Sequence, residues 1–184
     1  ALHVALRSSK PSDPWIPEDI VSDVHNVLSK IENFVADVVS GRLKSSTGIP
    51  ITDILMIGIG GSNLGPKLVC TALRENESTR LRIKFLDHLD GREFDNLKQV
   101  LEPKSTFCVI ASKSFTTSET LQNADIVEKW MDSSLKDNQR TKSQLIAITA
   151  DEEKALSYGI PKDNIFRIWD WVGGRYSVWS AMGL

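Results

Sequence analysis

Five short apolar runs punctuate the chain, Ile54 to Gly60, Ile83 to Leu89, Thr106 to Ser112, Gln144 to Thr149 and Ile165 to Trp169. Each is too short for a helix and too uniformly apolar for a strand with one wet face. They read as strands buried on both sides. Stretches of helical period separate them, clearest at Leu64 to Leu73 and at Leu121 to Met131, where Leu121, Ala124, Val127 and Met131 share a face. Strands alternating with helices require right-handed crossovers. The expected architecture is therefore a five-stranded parallel sheet covered by helices on both faces, a three-layer α/β/α sandwich.

Ahead of this alternation, Ile20, Val24, Val27, Leu28, Ile31, Phe34, Val35 and Val38 follow a 3.6-residue period from Asp19 to Val39. Pro17 suits the first turn of that helix and Gly41 its end. The chain thus divides into an N-terminal segment with one long amphipathic helix, residues 1–50, and the main fold, residues 51–184. Lys136 to Lys142 is a polar, mixed-charge run that reads as a solvated loop.

With Lys+Arg 22 against Asp+Glu 24, the net charge of -2 supplies no global field for nucleic acid or an anionic membrane. Any anion must be held locally. No apolar run approaches the ~20 residues of a membrane-spanning helix. Cys70 and Cys108 have no Cys or His at metal-ligand spacing, and both read as reduced core thiols of a cytoplasmic protein. The chain starts at Ala1 and stops inside a helix-like Ser-Val-Trp-Ser-Ala-Met-Gly-Leu run, so it is expected to be a piece of a longer protein.

Loops leaving the carboxyl ends of parallel strands share one edge of the sheet, where distant residues can meet one ligand. The first such loop, Gly58-Ile59-Gly60-Gly61-Ser62-Asn63-Leu64-Gly65-Pro66, permits close backbone approach and offers the Ser62 hydroxyl. It matches neither GxxxxGK[ST] nor GxGxxG. By itself it is compatible with a purely structural turn. The second, Ser112 to Thr120, places six hydroxyl side chains and Lys113 between a strand and a helix. A helix cap needs one hydroxyl; this density suits an anion such as phosphate. Glu119 is either a first-turn capping carboxylate or a group that orients a catalytic one. The third, Trp169 to Ser177, holds Arg175 after Gly173-Gly174, where planar donors suit an oxyanion, although a surface Arg beside aromatic residues is the alternative. His3 and His25 read as structural or surface residues, and the tryptophans as core and interface residues.

Ile57 to Pro66, Ala111 to Glu119 and Asp170 to Gly183 resemble, in order, the IGIGGSxLGP, ASKTFTTxE and GGRYSxWSAxG segments of the glucose-6-phosphate isomerase family. Ala1 to Arg7 is similar to a segment near the start of these enzymes. The resemblance implies a sugar-isomerase (SIS) domain of flavodoxin-like topology. It assigns Ser112, Lys113, Ser114 and Thr117 to a substrate phosphate, Gly61 and Ser62 to the sugar, and Arg175 to the reacting carbons. It further implies interconversion of glucose 6-phosphate and fructose 6-phosphate through a cis-enediolate, with no metal or cofactor and in a homodimer. The base Glu, ring-opening His and late Lys of the family fall beyond Leu184. Ser114 stands for the usual Thr and Asn63 for a more familiar Asp; Asp87 to Gly91 agrees with the family mainly at Asp90-Gly91, and His88 receives no role. A sensing module or an amidotransferase-type sugar isomerase of the same fold is the alternative, and the Gly173 to Gly183 segment argues against both.

Overall fold

The computed structural model describes residues 2–8, 14–73 and 81–184. Ala1 of the N-terminal segment lies outside them. Five parallel strands, β1 (Asp53–Gly58), β2 (Arg82–Leu86), β3 (Thr106–Ala111), β4 (Leu145–Thr149) and β5 (Ile165–Arg167), form one sheet in the order β2-β1-β3-β4-β5. That is the expected flavodoxin-like order. Around it lie α1 (Glu18–Ser40), α2 (Gly61–Leu73), α3 (Gly91–Lys98), α4 (Ser118–Leu135), α5 (Asn138–Ser143) and α6 (Glu152–Ser157).

Strand alternation divides the interior into two layers of side chains. Met56, Phe107, Val109, Ala111, Ile146 and Ile148 point to one face and pack with Val21, Val24 and Val38 of α1. Leu55, Ile57, Cys108, Ile110, Leu145 and Ala147 point to the other and pack with Phe94 of α3, Ala124, Val127 and Met131 of α4, and Ala155 of α6. Every residue of β3 and β4 is buried, as expected of central strands sandwiched by helices. The three-layer architecture follows directly.

α1 opens after Pro17 with Glu18 and Asp19 in its first turn, where acidic groups complement the helix dipole, and closes on Gly41 in the left-handed conformation, φ 74°. Its core stripe is narrower than the periodicity suggests, because Leu28 and Val35 are exposed. Cys108 is buried, and burial pushes its thiol pKa up. Cys70 is only partly buried, on the rim of an apolar groove of about 240 Å³ between α1, α2 and the sheet. The expected loop at Lys136 to Lys142 contains α5, capped by Asp137 through the backbone N–H groups of Gln139 and Arg140. The helix-like C-terminal run instead forms two 3-10 turns, Gly174–Trp179 and Ala181–Gly183. Among the described residues no helix is long and apolar enough to cross a membrane.

One buried amide ties the N-terminal connector to the sheet. Gln144 donates through Nε2 to the carbonyls of Pro103 and Thr106, both at 2.8 Å, and accepts at Oε1 from the Ser46 hydroxyl at 2.8 Å. Gln144→Leu keeps the volume but strands these groups away from water, so it should destabilise the fold by on the order of 3 kcal/mol in denaturant unfolding. A loss below about 1 kcal/mol would show that the linkage is redundant.

Candidate functional site

The strand order reverses between β1 and β3: the chain steps one way from β1 to β2, then crosses back over β1 to β3 and continues outward through β4 and β5. The loops after β1 and β3 therefore leave in opposite directions, opening a crevice at the carboxyl edge. The three unusual loops of the sequence all lie at this edge.

After β1, Gly60 takes a left-handed conformation, φ 58°, and the chain enters α2 at Gly61. A Cβ on Gly61 would stand 2.6 Å from the carbonyl oxygen of Gly174, so only glycine lets the first and third loops meet. Ser177 Oγ donates to the Gly61 carbonyl at 2.8 Å. Gly65, one turn further, has Val178 pressed against the place where its Cβ would be, at 2.9 Å. The glycines thus pack loop against loop.

After β3, Ser112 is buried with its hydroxyl 3.1 Å from that of Thr117, while those of Ser114 and Thr116 are 2.7 Å apart. Phe115 between them has a positive φ of 49°, an uncommon conformation for a bulky residue. Its buried ring, edge-on to Tyr158 with centroids 5.9 Å apart, holds the turn in this conformation. The Tyr158 hydroxyl donates to Asp125 at 2.7 Å; burial first, then this acidic partner, drives its pKa upward and keeps it neutral. The Lys113 carbonyl accepts from the Ala150 N–H at 2.9 Å and the Thr149 hydroxyl at 3.0 Å, fixing the turn to the loop after β4.

Thr117 is the N-cap of α4, yet its side chain makes no capping hydrogen bond. Its hydroxyl is directed to Ser112 instead, which leaves the first-turn N–H groups of α4 without a side-chain cap. Glu119 is exposed in that first turn.

Ser62, Lys113, Ser114 and Thr117 line an open cleft of about 800 Å³, with Asp151, Glu152, Glu153, Lys154, Arg167 and Asp170 across it. Ser62 and Lys113 also border a small adjoining pocket of about 120 Å³ with Gly61, Gly173, Gly174 and Ser177. The cations of the cleft differ in their partners. Lys154 pairs with Asp151 at 2.6 Å, and Arg167 lies 3.5 Å from Asp23 and 3.8 Å from Glu152. Among the described residues Lys113 Nζ donates to the backbone carbonyl of Asp170 rather than to a carboxylate. Among the described residues it is the cation of the cleft with no carboxylate within ion-pair distance.

The structure thus brings together Gly61, Ser62, Ser112, Lys113, Ser114 and Thr117. Arg175 stands apart: it is exposed, its guanidinium carbon 5.9 Å from the Tyr176 ring centre, and it borders neither cavity. Asn63 is buried and donates to Asp87 at 2.7 Å, beside an ion pair between Lys67 and Asp87 at 2.8 Å. Burial opposes ionisation of Asp87, but its bonds from Lys67 and His88 outweigh that and hold its pKa below the usual range. His88, 2.6 Å from Asp87, belongs to this polar cluster, not to the cleft. Phe115 and His3 escape sequence reasoning. An apolar residue inside a hydroxyl-rich turn is the local signal for the first; for the second the only signal is the likeness of Ala1 to Arg7 to a family segment, which singles out no residue.

A doubly wound parallel α/β protein with a lysine- and hydroxyl-lined crevice at its switch point is the class these features define. The chain belongs to the phosphoglucose isomerase family, whose model matches residues 1–184. It is 44% identical over its whole length to a glucose-6-phosphate isomerase of Shewanella sp. (strain MR-4) and 43% identical to one of Shewanella baltica (strain OS195). It spans 34% of the length of each of these relatives. Among solved structures, a glucose-6-phosphate isomerase from Chlamydia trachomatis shares the fold with a TM-score of 0.78 at 22% identity, over 98% of this chain and 33% of that one. A hypothetical protein from Thermus thermophilus matches with a TM-score of 0.69 at 29% identity, over 88% of this chain and 36% of that one.

Gly61→Ala should force the loops after β1 and β5 apart. We expect a loss of about 1–3 kcal/mol in stability, the usual cost of overpacking a close contact, read by thermal and denaturant unfolding. Wild-type stability would contradict the close approach of Gly61 and Gly174.

Proposed function

We propose that the full-length protein carrying this chain is an aldose-ketose isomerase that interconverts glucose 6-phosphate and fructose 6-phosphate. The observation that carries the reading is the turn after β3, where Lys113, lacking a carboxylate partner among the described residues, meets four hydroxyls at the uncapped start of α4. Such a turn offers a point charge, O–H donors and backbone N–H donors to one phosphate. Family membership selects the sugar phosphate among possible anions.

In this reading Ser112, Lys113, Ser114 and Thr117 take the phosphate, while Gly61 and Ser62 face the sugar across the crevice. Binding energy from the phosphate, remote from the reacting carbons, orients C1 and C2. A carboxylate base moves a proton between C2 and C1 through a cis-enediolate, and Arg175 stabilises the negative charge that develops on its oxygens. The reaction needs no net oxidant and no redox cofactor, because one carbon is oxidised as its neighbour is reduced. No residue of this chain is assigned as the base. By analogy with the family that the chain resembles, that Glu, the ring-opening His and a late Lys are expected in the remainder of the protein, and a cytoplasmic homodimer is expected with them. Arg175 reaches the reacting carbons only if substrate, or the rest of the protein, draws its side chain from Tyr176 towards the crevice.

Lys113→Ala in the full-length protein should raise KM for fructose 6-phosphate at least about tenfold, equivalent to about 1.4 kcal/mol of lost phosphate binding, with a smaller effect on kcat. Steady-state kinetics in the coupled assay decides: unchanged KM and kcat would remove Lys113 from the phosphate site.

A further inference from the structure

His3 lies 170 residues from Gly173 in sequence, yet its Nε2 is 3.2 Å from the Gly173 backbone nitrogen. A backbone N–H can only donate, so Nε2 must accept, and the ring proton resides on Nδ1. The imidazole is wedged between Trp171, edge-on at 6.3 Å, and Tyr176 at 5.7 Å. These two rings bracket the segment Val172 to Arg175.

The His3 ring is itself held in place. The 3-10 turn His3–Arg7 buries Ala5 and Leu6 in the same apolar layer as Val172 and Trp169. Its far end is fixed by Arg7, 5.6 Å over the Trp179 ring, and by His25, which bonds the Ser8 carbonyl at 2.9 Å. The turn therefore spans the segment from Gly173 to Trp179. On the opposite side that segment is fixed by Gly61 against Gly174 and by the Ser177 hydroxyl on the Gly61 carbonyl. Arg175 sits between these two anchors, after Gly174, whose φ of 56° is left-handed.

We infer that His3 is a positioning residue: through its unprotonated Nε2 it fixes the backbone of Gly173, and so the direction in which the following turn presents Arg175. This rests on the isomerase reading, in which Arg175 acts on the developing charge of the enediolate. His3 touches no reacting atom. Its loss should act on the transition state and spare the phosphate grip, which belongs to the loop after β3.

Two variants of the full-length protein separate acceptor from ring. His3→Phe keeps an aromatic ring between Trp171 and Tyr176 but has no acceptor; His3→Gln gives up the ring and carries Oε1 near the place of Nε2. His3→Phe should lower kcat by about ten- to a hundredfold, the scale set by small misplacements of catalytic groups, with KM within about twofold of wild type. His3→Gln should recover most of that loss. Wild-type kinetics in both variants, or equal losses in both, would reduce His3 to a packing residue and overturn the inference. Imidazole ¹⁵N spectra of the wild-type full-length protein test the contact without turnover: an unprotonated Nε2 on His3 supports it and a protonated Nε2 overturns it. A wild-type full-length protein that does not interconvert the sugar phosphates contradicts the isomerase reading instead, and the spectra then decide on the contact alone.

Discussion

Parallel pairing of β1 with both β2 and β3 is the constraint on which the rest of this structure depends. It sends the loops that follow β1 and β3 away from one another and leaves a crevice between them at the carboxyl edge of the sheet. The strands that make this geometry have little chemistry of their own. β3 is buried throughout, and its two faces serve separate apolar layers against α1 on one side and α4 on the other. That double burial fixes strand register, because a one-residue slip would exchange the two layers. Register in turn fixes where Ser112 and Lys113 emerge.

Electrostatics at the crevice depends on pairing more than on the number of charges. The chain is nearly neutral, and the cleft itself holds more carboxylates than cations. Lys154 and Arg167 have carboxylate partners and are compensated locally, whereas Lys113 is directed to a backbone carbonyl. A phosphate bound there, as proposed, would replace a neutral acceptor by a charged one, with no ion pair of Lys113 among the described residues to break. The hydroxyl pairs Ser112–Thr117 and Ser114–Thr116 act similarly: each is bonded within the turn and can rotate its proton to an incoming oxygen.

Much of the fold was legible in the sequence because burial on both faces writes itself as uninterrupted apolar runs. Strand ends were less so. The run from Ile83 to Leu89 leaves the sheet after Leu86, where Asp87 turns to meet Asn63 and Lys67. α5 was hidden because its few polar residues carry no apolar stripe, and its signal is the Asp137 cap. Leu28 and Val35 fit the period of α1 but exceed the width of the face it buries. Composition singled out the two loops in which six of the proposed site residues lie, through their hydroxyls, glycines and a lysine, and the family resemblance named the residues within them. What the sequence could not convey was contact between segments. The approach of Gly61 to Gly174, the anchoring of a strained turn by Phe115 on Tyr158, and the bond from Gly173 to His3 each join residues far apart along the chain.

In the reading proposed above, the turn after β3 and the loop after β1 form one sugar-phosphate site. That reading is tested most directly by a crystal structure of the full-length protein with fructose 6-phosphate bound. The account predicts the phosphate against the hydroxyls of Ser112, Ser114 and Thr117, the ammonium of Lys113 and the first-turn N–H groups of α4, with the sugar extending towards Gly61 and Ser62. Phosphate bound instead between Lys154 and Arg167, or a sugar directed away from the loop after β1, would contradict it.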